Sequence, residues 1–185
     1  MDGKYLSLDF LKRVLEKGSD PARFAFEGSQ VLFSRIAGFE ETICRIAEYP
    51  ILEKPERIKR FHAQLEAWHW YCGEALKRGN QYLLGTAVSK LILFGGRLIL
   101  THNEMLYPYH KWFLQVLERA QDKPSELMAC IQALIESPTL ENIEAFYGKV
   151  KTFQPWGENP YGWGAQFMLD SELNWMDGRT PVDDA

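Results

Sequence analysis

LILFGGRLILTHNEMLYPYHKW, residues Leu91–Trp112, opens as a nearly continuous apolar run that holds one cation, Arg97. It closes in a dense polar-aromatic cluster of His102, Asn103, Glu104, Tyr107, Tyr109, His110, Lys111 and Trp112. A helix that is apolar on most sides belongs in the middle of a bundle. A cation inside such a run needs a partner, because burying an unpaired charge costs several kcal/mol. Arg97 is therefore expected to have an internal acid or to face a cleft.

The rest of the composition fits a globular helical protein. With 185 residues the chain makes one domain, or one and a half, and is long enough to bury a sizeable core. Apolar residues at 46% and charged residues at 25% argue against disorder. A net charge of −4 gives no broad electrostatic reason to bind nucleic acid, although a local basic pocket is compatible with it. Six Trp within an aromatic content of 14% suggest cleft walls or a partner surface as well as core. Cys44, Cys72 and Cys130 are odd in number and lack C-x-x-C spacing, which fits reduced thiols better than a disulfide framework or a zinc site. MDGKYLSLDF has no signal pattern. The most apolar window, Tyr82–Leu100, contains Lys90, Arg97 and three glycines, so it reads as a core helix rather than a membrane span. The expected location is cytoplasmic.

Outward from that helix the chain reads as all-α: an up-and-down bundle of about five to seven helices over residues 39–176. A small appendage, 1–38, precedes it and a polar tail, 177–185, follows, with RTPVDDA expected to fray. Within the appendage, residues 5–10 begin extended and pass into a helix ending at Gly18, with Asp9 as its cap. QVLFSR, Gln30–Arg35, reads as a second short strand between Gly28 and Gly38. Ser19-Asp20-Pro21 is a break. Pro55 starts a long helix that Gly79-Asn80 stops; the next runs from about Gln81 to Glu104. Further helices are expected over Tyr109–Ala120, Glu126–Glu136, from Ser137-Pro138-Thr139 to about Phe153, and over Ala165–Met176. Gln154–Gly164 reads as an ordered aromatic loop.

Several constellations could carry chemistry. Gly95-Gly96 in mid-helix predicts close approach of a neighbouring helix, or a kink that opens room beside Arg97. His62, Glu66 and His69 share one helix face, which suits a solvent-facing polar stripe or, with a further ligand from elsewhere, a metal grip; no metal is assigned. Phosphate-loop and dinucleotide signatures are missing. Arg97-x4-His102 sets a cation near an imidazole able to move protons, which is what RNA cleavage requires. This spacing resembles the Arg-x4–6-His motif of HEPN ribonucleases, themselves small helical bundles often encoded beside minimal nucleotidyltransferases. Glu104, His110 and Lys111 at the helix end could hold an anionic or polyhydroxylated ligand.

GGRLILTHNEMLYPYHKWFLQVL also resembles the C-terminal helical domain of bacterial nucleotidyltransferase-fold proteins, the group that includes aminoglycoside nucleotidyltransferases. The matching positions are Arg97, Asn103, Tyr107, Pro108, Lys111 and Trp112; WHWYCGEALKRGNQYLLGTAVSKLI fits the helix pair of the substrate-side wall. That family's catalytic domain carries a Gly-Ser turn and an Asp-x-Asp pair for Mg²⁺ and a nucleoside triphosphate, and no such arrangement exists here. The resemblance thus implies a substrate-binding or accessory half that is not catalytic alone. It needs no cofactor of its own, and residues 5–35 would be a remnant of the catalytic domain. Arg97, Asn103 and Lys111 would be polar contacts, and Trp112, Tyr107 and Trp70 aromatic walls. Glu104 or Glu66 would lend a general base to a separate nucleotidyltransferase chain. The alternatives are a HEPN-type ribonuclease using Arg97 and His102 across a homodimer, with RNA as its substrate, and a structural dimerisation module.

Overall fold

The computed structural model describes residues 3–157, 159–178 and 182. Among them all regular structure is helical: α1 (Leu8–Lys17), α2 (Asp20–Phe24), α3 (Phe39–Ala47), α4 (Lys54–Arg78), α5 (Gln81–His102), α6 (Phe113–Arg119), α7 (Leu127–Glu136), α8 (Leu140–Phe153) and α9 (Gly162–Phe167). A π-helical turn, Met168–Glu172, and 3-10 turns at Ile51–Glu53 and Asn174–Asp177 complete the set. The all-α class is as expected, but neither short strand of the appendage forms. At the first, the Ser7 hydroxyl accepts from the Phe10 amide (3.1 Å), so Ser7 rather than Asp9 caps the helix and residues 8–10 coil into α1. At the second, residues 30–35 have no strand to pair with, and Leu32 and Phe33 stand exposed.

The spine is the α4–α5 hairpin. Gly79, with φ +61°, turns the chain out of α4, and the Asn80 side chain accepts from the Leu83 amide (3.0 Å) to start α5. Only two residues separate these helices, so they must run antiparallel and share their apolar faces along their length. Fourteen of the residues of α5 are buried, including an unbroken run from Leu91 to Thr101. Although α5 is long and apolar enough to cross a membrane, 72% of its most apolar window is covered by the other helices, as expected of a core helix. Helices α6, α7 and α8 pack on α5, while α8 and α9 pack on α4.

Gly95 and Gly96 are where the neighbours come closest. A Cβ on Gly95 would lie 2.6 Å from Phe146 of α8, and one on Gly96 would lie 2.3 Å from Phe113 of α6. Close helix approach, not a kink, explains the pair.

Two helices differ from the sequence reading. Tyr109 adopts φ +69°, a left-handed turn that a helix cannot continue through, so α6 begins at Phe113, not at Tyr109, and Trp112 is half exposed. The last helix starts earlier than expected, at Gly162, and loosens into the π and 3-10 turns after Phe167. In the tail, residues 179–181 and 183–185 lie outside the described residues, but Val182 is buried at 1% exposure and is not frayed. Helix α3 gives Ile43 and Ile46 to a small apolar cluster with Leu11 and Val14 of α1, separate from the main core.

The glycine geometry gives a direct test. Gly96→Ala should lower stability in urea unfolding by about 1–3 kcal/mol through overpacking, even though alanine is the better helix former. Gly85→Ala in the same helix meets nothing within 4 Å and should instead raise stability, by about 0.5–1 kcal/mol.

Candidate functional site

Arg97 and His102 are separated by five residues, roughly 140° around α5 at 3.6 residues per turn. Their side chains therefore enter different surroundings.

Arg97 is only 1% exposed. Its guanidinium lies between two rings, 4.1 Å from the centroid of Phe61 and 4.7 Å from that of Tyr107. Nη1 donates to the Val182 carbonyl (3.0 Å), and Nη2 sits 3.6 Å from Asp20 Oδ2. Asp20, itself 2% exposed, also accepts from Arg57 Nη1 and from the Tyr107 amide (3.4 Å). Arg57 reaches on to Glu53 at 2.9 Å. Burial pulls the Arg97 pKa down to about 10, against the opposing pull of Asp20, so the group stays charged at neutral pH. The internal acid that the buried cation demands is thus Asp20, the first residue of α2. The Arg57–Asp20–Arg97 node fastens the appendage to the bundle and the tail to α5. A cleft of about 320 Å³ between the α1–α2 turn and α4 reaches the node from outside.

The end of α5 is organised differently. Asn103 Nδ2 donates to the carbonyls of Ile99 (2.8 Å) and Asp122 (2.7 Å), and its Oδ1 accepts from the Asp122 amide (2.9 Å). The two bonds to Asp122 clip the turn before α7 onto the helix end, and the bond to Ile99 holds the Asn103 side chain on α5. Lys54 Nζ donates to the His102 carbonyl (3.0 Å) and to Glu104 (2.8 Å), placing a cation at the negative end of the helix dipole. His102 Nε2 lies 2.6 Å from Asp122 Oδ2, and the imidazole meets Phe153 and Trp156 edge-on.

Beside this corner opens a recess of about 540 Å³. Ile51, Pro55, Ile58 and Trp156 form its apolar walls, and Lys54, His102 and Gln154 are its polar groups. Trp156 is anchored by its indole, which donates to the Val150 carbonyl (2.8 Å). Size, apolar walls and a few convergent polar groups are the features of a small-molecule site.

The residues singled out in the sequence thus fall into four places. His102, Asn103 and Glu104 come together at the end of α5, with Asn103 spent on the backbone. Arg97 and Tyr107 form the buried node, where the Tyr107 hydroxyl lies 3.2 Å from His110 Nδ1. Lys111 lies over the Trp112 ring (5.0 Å) on the turn before α6. Glu66 and Trp70 belong to the α4–α8 side, with His62 and His69. That face is not an open stripe. Tyr147 of α8 donates to Glu66 Oε2 (2.7 Å), Lys151 and His62 approach Oε1 at 3.2 and 3.3 Å, and His69 stacks on Tyr147 at 3.7 Å. Sequence reasoning missed Asp20, Lys54, Asp122 and Trp156. Only Trp156 had a visible signal, in the Pro-Trp-Gly run of the aromatic loop.

No protein-family model, curated protein or solved structure matches this chain.

Burial works to raise the Glu66 pKa, but hydrogen bonds from His62, Tyr147 and Lys151 outweigh it and hold the carboxyl at about 2. A depressed carboxylate contributes stability that is present above its unfolded value near 4.5 and is lost as pH falls to about 2. Glu66→Gln should therefore flatten the acid limb of the stability curve in that window, by roughly 2–3 kcal/mol in urea unfolding at stepped pH. An unchanged limb would mean that the network does not hold the ionised form.

Proposed function

We propose that this chain is a cytoplasmic ligand-binding accessory domain of a nucleotidyltransferase-type system, not catalytic by itself. The observation that carries the binding half is the recess of about 540 Å³ at the end of α5. Its Trp156 wall offers a flat apolar face, and Lys54 and His102 offer donors to an acceptor or anionic group. A small polar substrate with one apolar face suits that lining. The accessory half rests on the resemblance of residues 39–176 to the helical domain of nucleotidyltransferases and on the lack of an Asp-x-Asp pair after either Gly-Ser, Gly18-Ser19 or Gly28-Ser29. Mg²⁺ and the nucleoside triphosphate would be held by a partner chain.

The Asp122–His102 contact favours a second reading. A carboxylate that fixes one imidazole nitrogen orients the ring for proton transfer, the role a HEPN-type ribonuclease gives its histidine. The enclosed Arg97 would then support the fold, and Lys54 would face the phosphate.

Ligand-detected NMR with a panel of small polar compounds, aminoglycosides among them, tests the first reading. At least one should bind, and Gln154→Trp, which fills the recess, should abolish binding with the circular dichroism unchanged. A nucleotidyltransferase encoded beside this chain should co-purify with it. RNA cleavage that disappears in His102→Ala, with the fold retained, would replace this reading by the second. A stable dimer that shows neither activity nor ligand would leave only the structural module.

A further inference from the structure

A second cleft, about 300 Å³, opens between α4, α8 and α9, on a part of the chain separate from the α5 recess. Its floor is Gly73. This glycine sits in the interior of α4, where it costs about 0.5–1 kcal/mol against alanine. Gly95 and Gly96 are required by the rings that press on them, but a Cβ on Gly73 would meet nothing within 4 Å. The missing side chain leaves open space, and that space is the cleft.

Trp70 and Trp163 line it, 50% and 38% exposed, so their indole faces are open to a ligand. The acids are Glu66, ionised and bonded as described above, and Glu144, whose Oε1 is 2.7 Å from His69 Nε2 and whose side chain is otherwise half exposed. His69 is already used by Glu144 and by its stack on Tyr147, and Lys77 is turned to Glu74 at 3.0 Å. Both Glu66 oxygens are taken by Tyr147, Lys151 and His62, so the binding capacity left over is the second oxygen of Glu144 and aromatic surface.

We propose that this cleft binds a small organic cation, an alkyl- or quaternary ammonium group seated over Gly73 against Trp70 and Trp163 and neutralised by Glu144. An ammonium is attracted to the negative face of an indole, most strongly to Trp among the aromatic residues. A floor without a side chain lets a bulky trimethylammonium head approach the helix backbone. A neutral ligand of the same shape would gain the apolar contact and lose the charge terms.

Choline and its uncharged isostere 3,3-dimethyl-1-butanol separate these contributions. In ¹H–¹⁵N spectra of the full chain, choline should shift the indole signals of Trp70 and Trp163, and bind about tenfold more tightly than the isostere. Gly73→Leu should abolish the shifts while leaving the melting temperature equal or higher, since leucine is the better helix former. Trp70→Leu, at a half-exposed position, should weaken binding without relying on that variant. Unmoved indole signals with choline, equal affinity for the two ligands, or undiminished binding in Gly73→Leu or Trp70→Leu would each overturn the proposal. None of these results bears on the α5 recess, whose probe residues are different.

Discussion

One contact holds the parts of this chain in a common structure: the carboxylate of Asp20 between the guanidinium groups of Arg57 and Arg97. All three side chains are nearly removed from water. Taking a guanidinium into such a site costs several kcal/mol unless an acid and further acceptors meet it. Arg97 has Asp20, the Val182 carbonyl and two ring faces. Because Asp20 begins α2 and Val182 belongs to the tail, satisfying one cation of the central helix recruits both ends of the chain. Arg97 is the keystone of the packing, and the Arg97-x4-His102 pair is divided between a structural node and an open recess.

The node also sets where ligands can reach. The interior of α5 is filled on its α6 and α8 sides by Phe113 and Phe146, which press on Gly96 and Gly95 too closely for any cavity to remain there. Besides the cleft that reaches the node, open volume is left at the C-terminal end of α5 and along the outer face of α4. At the first, the aromatic loop folds back so that Trp156 forms a wall opposite α4. At the second, Gly73 keeps the helix surface low between two indoles. The two clefts differ in chemistry: donors and apolar walls in one, acceptors and indoles in the other.

What could be read from the sequence was whatever local chemistry determines. Gly79-Asn80 stops one helix and caps the next with groups that are neighbours in the chain, and Thr139 starts α8 in the same way by accepting from the Asn142 amide. The apolar run of α5 announced a core helix because few other environments bury every face. It also announced that Arg97 needs an acid, but not which one, since nothing in local spacing links residues 20 and 97. The QVLFSR segment has the strand-favouring residues Val31 and Phe33 and no partner to pair with, so local preference alone could not make it a strand. Tyr109 is the opposite case: a non-glycine residue in the left-handed region leaves no mark in the sequence, so local pattern extends α6 one turn beyond its start at Phe113. Lys54 and Asp122 leave no local signal because they reach the end of α5 from other segments, Lys54 across the α4–α5 hairpin and Asp122 from the turn before α7.

A double-mutant cycle on Asp20 and Arg97 addresses the keystone most directly. Urea unfolding would be measured for the wild type, Asp20→Asn, Arg97→Met and the double variant. The structure predicts that Asp20→Asn alone costs about 3–5 kcal/mol by stranding a buried cation, and that much of this loss disappears when Arg97 is already methionine. A coupling of more than about 1 kcal/mol would establish that the two groups hold each other in place. Additive losses, or an Asp20→Asn variant as stable as the wild type, would contradict it.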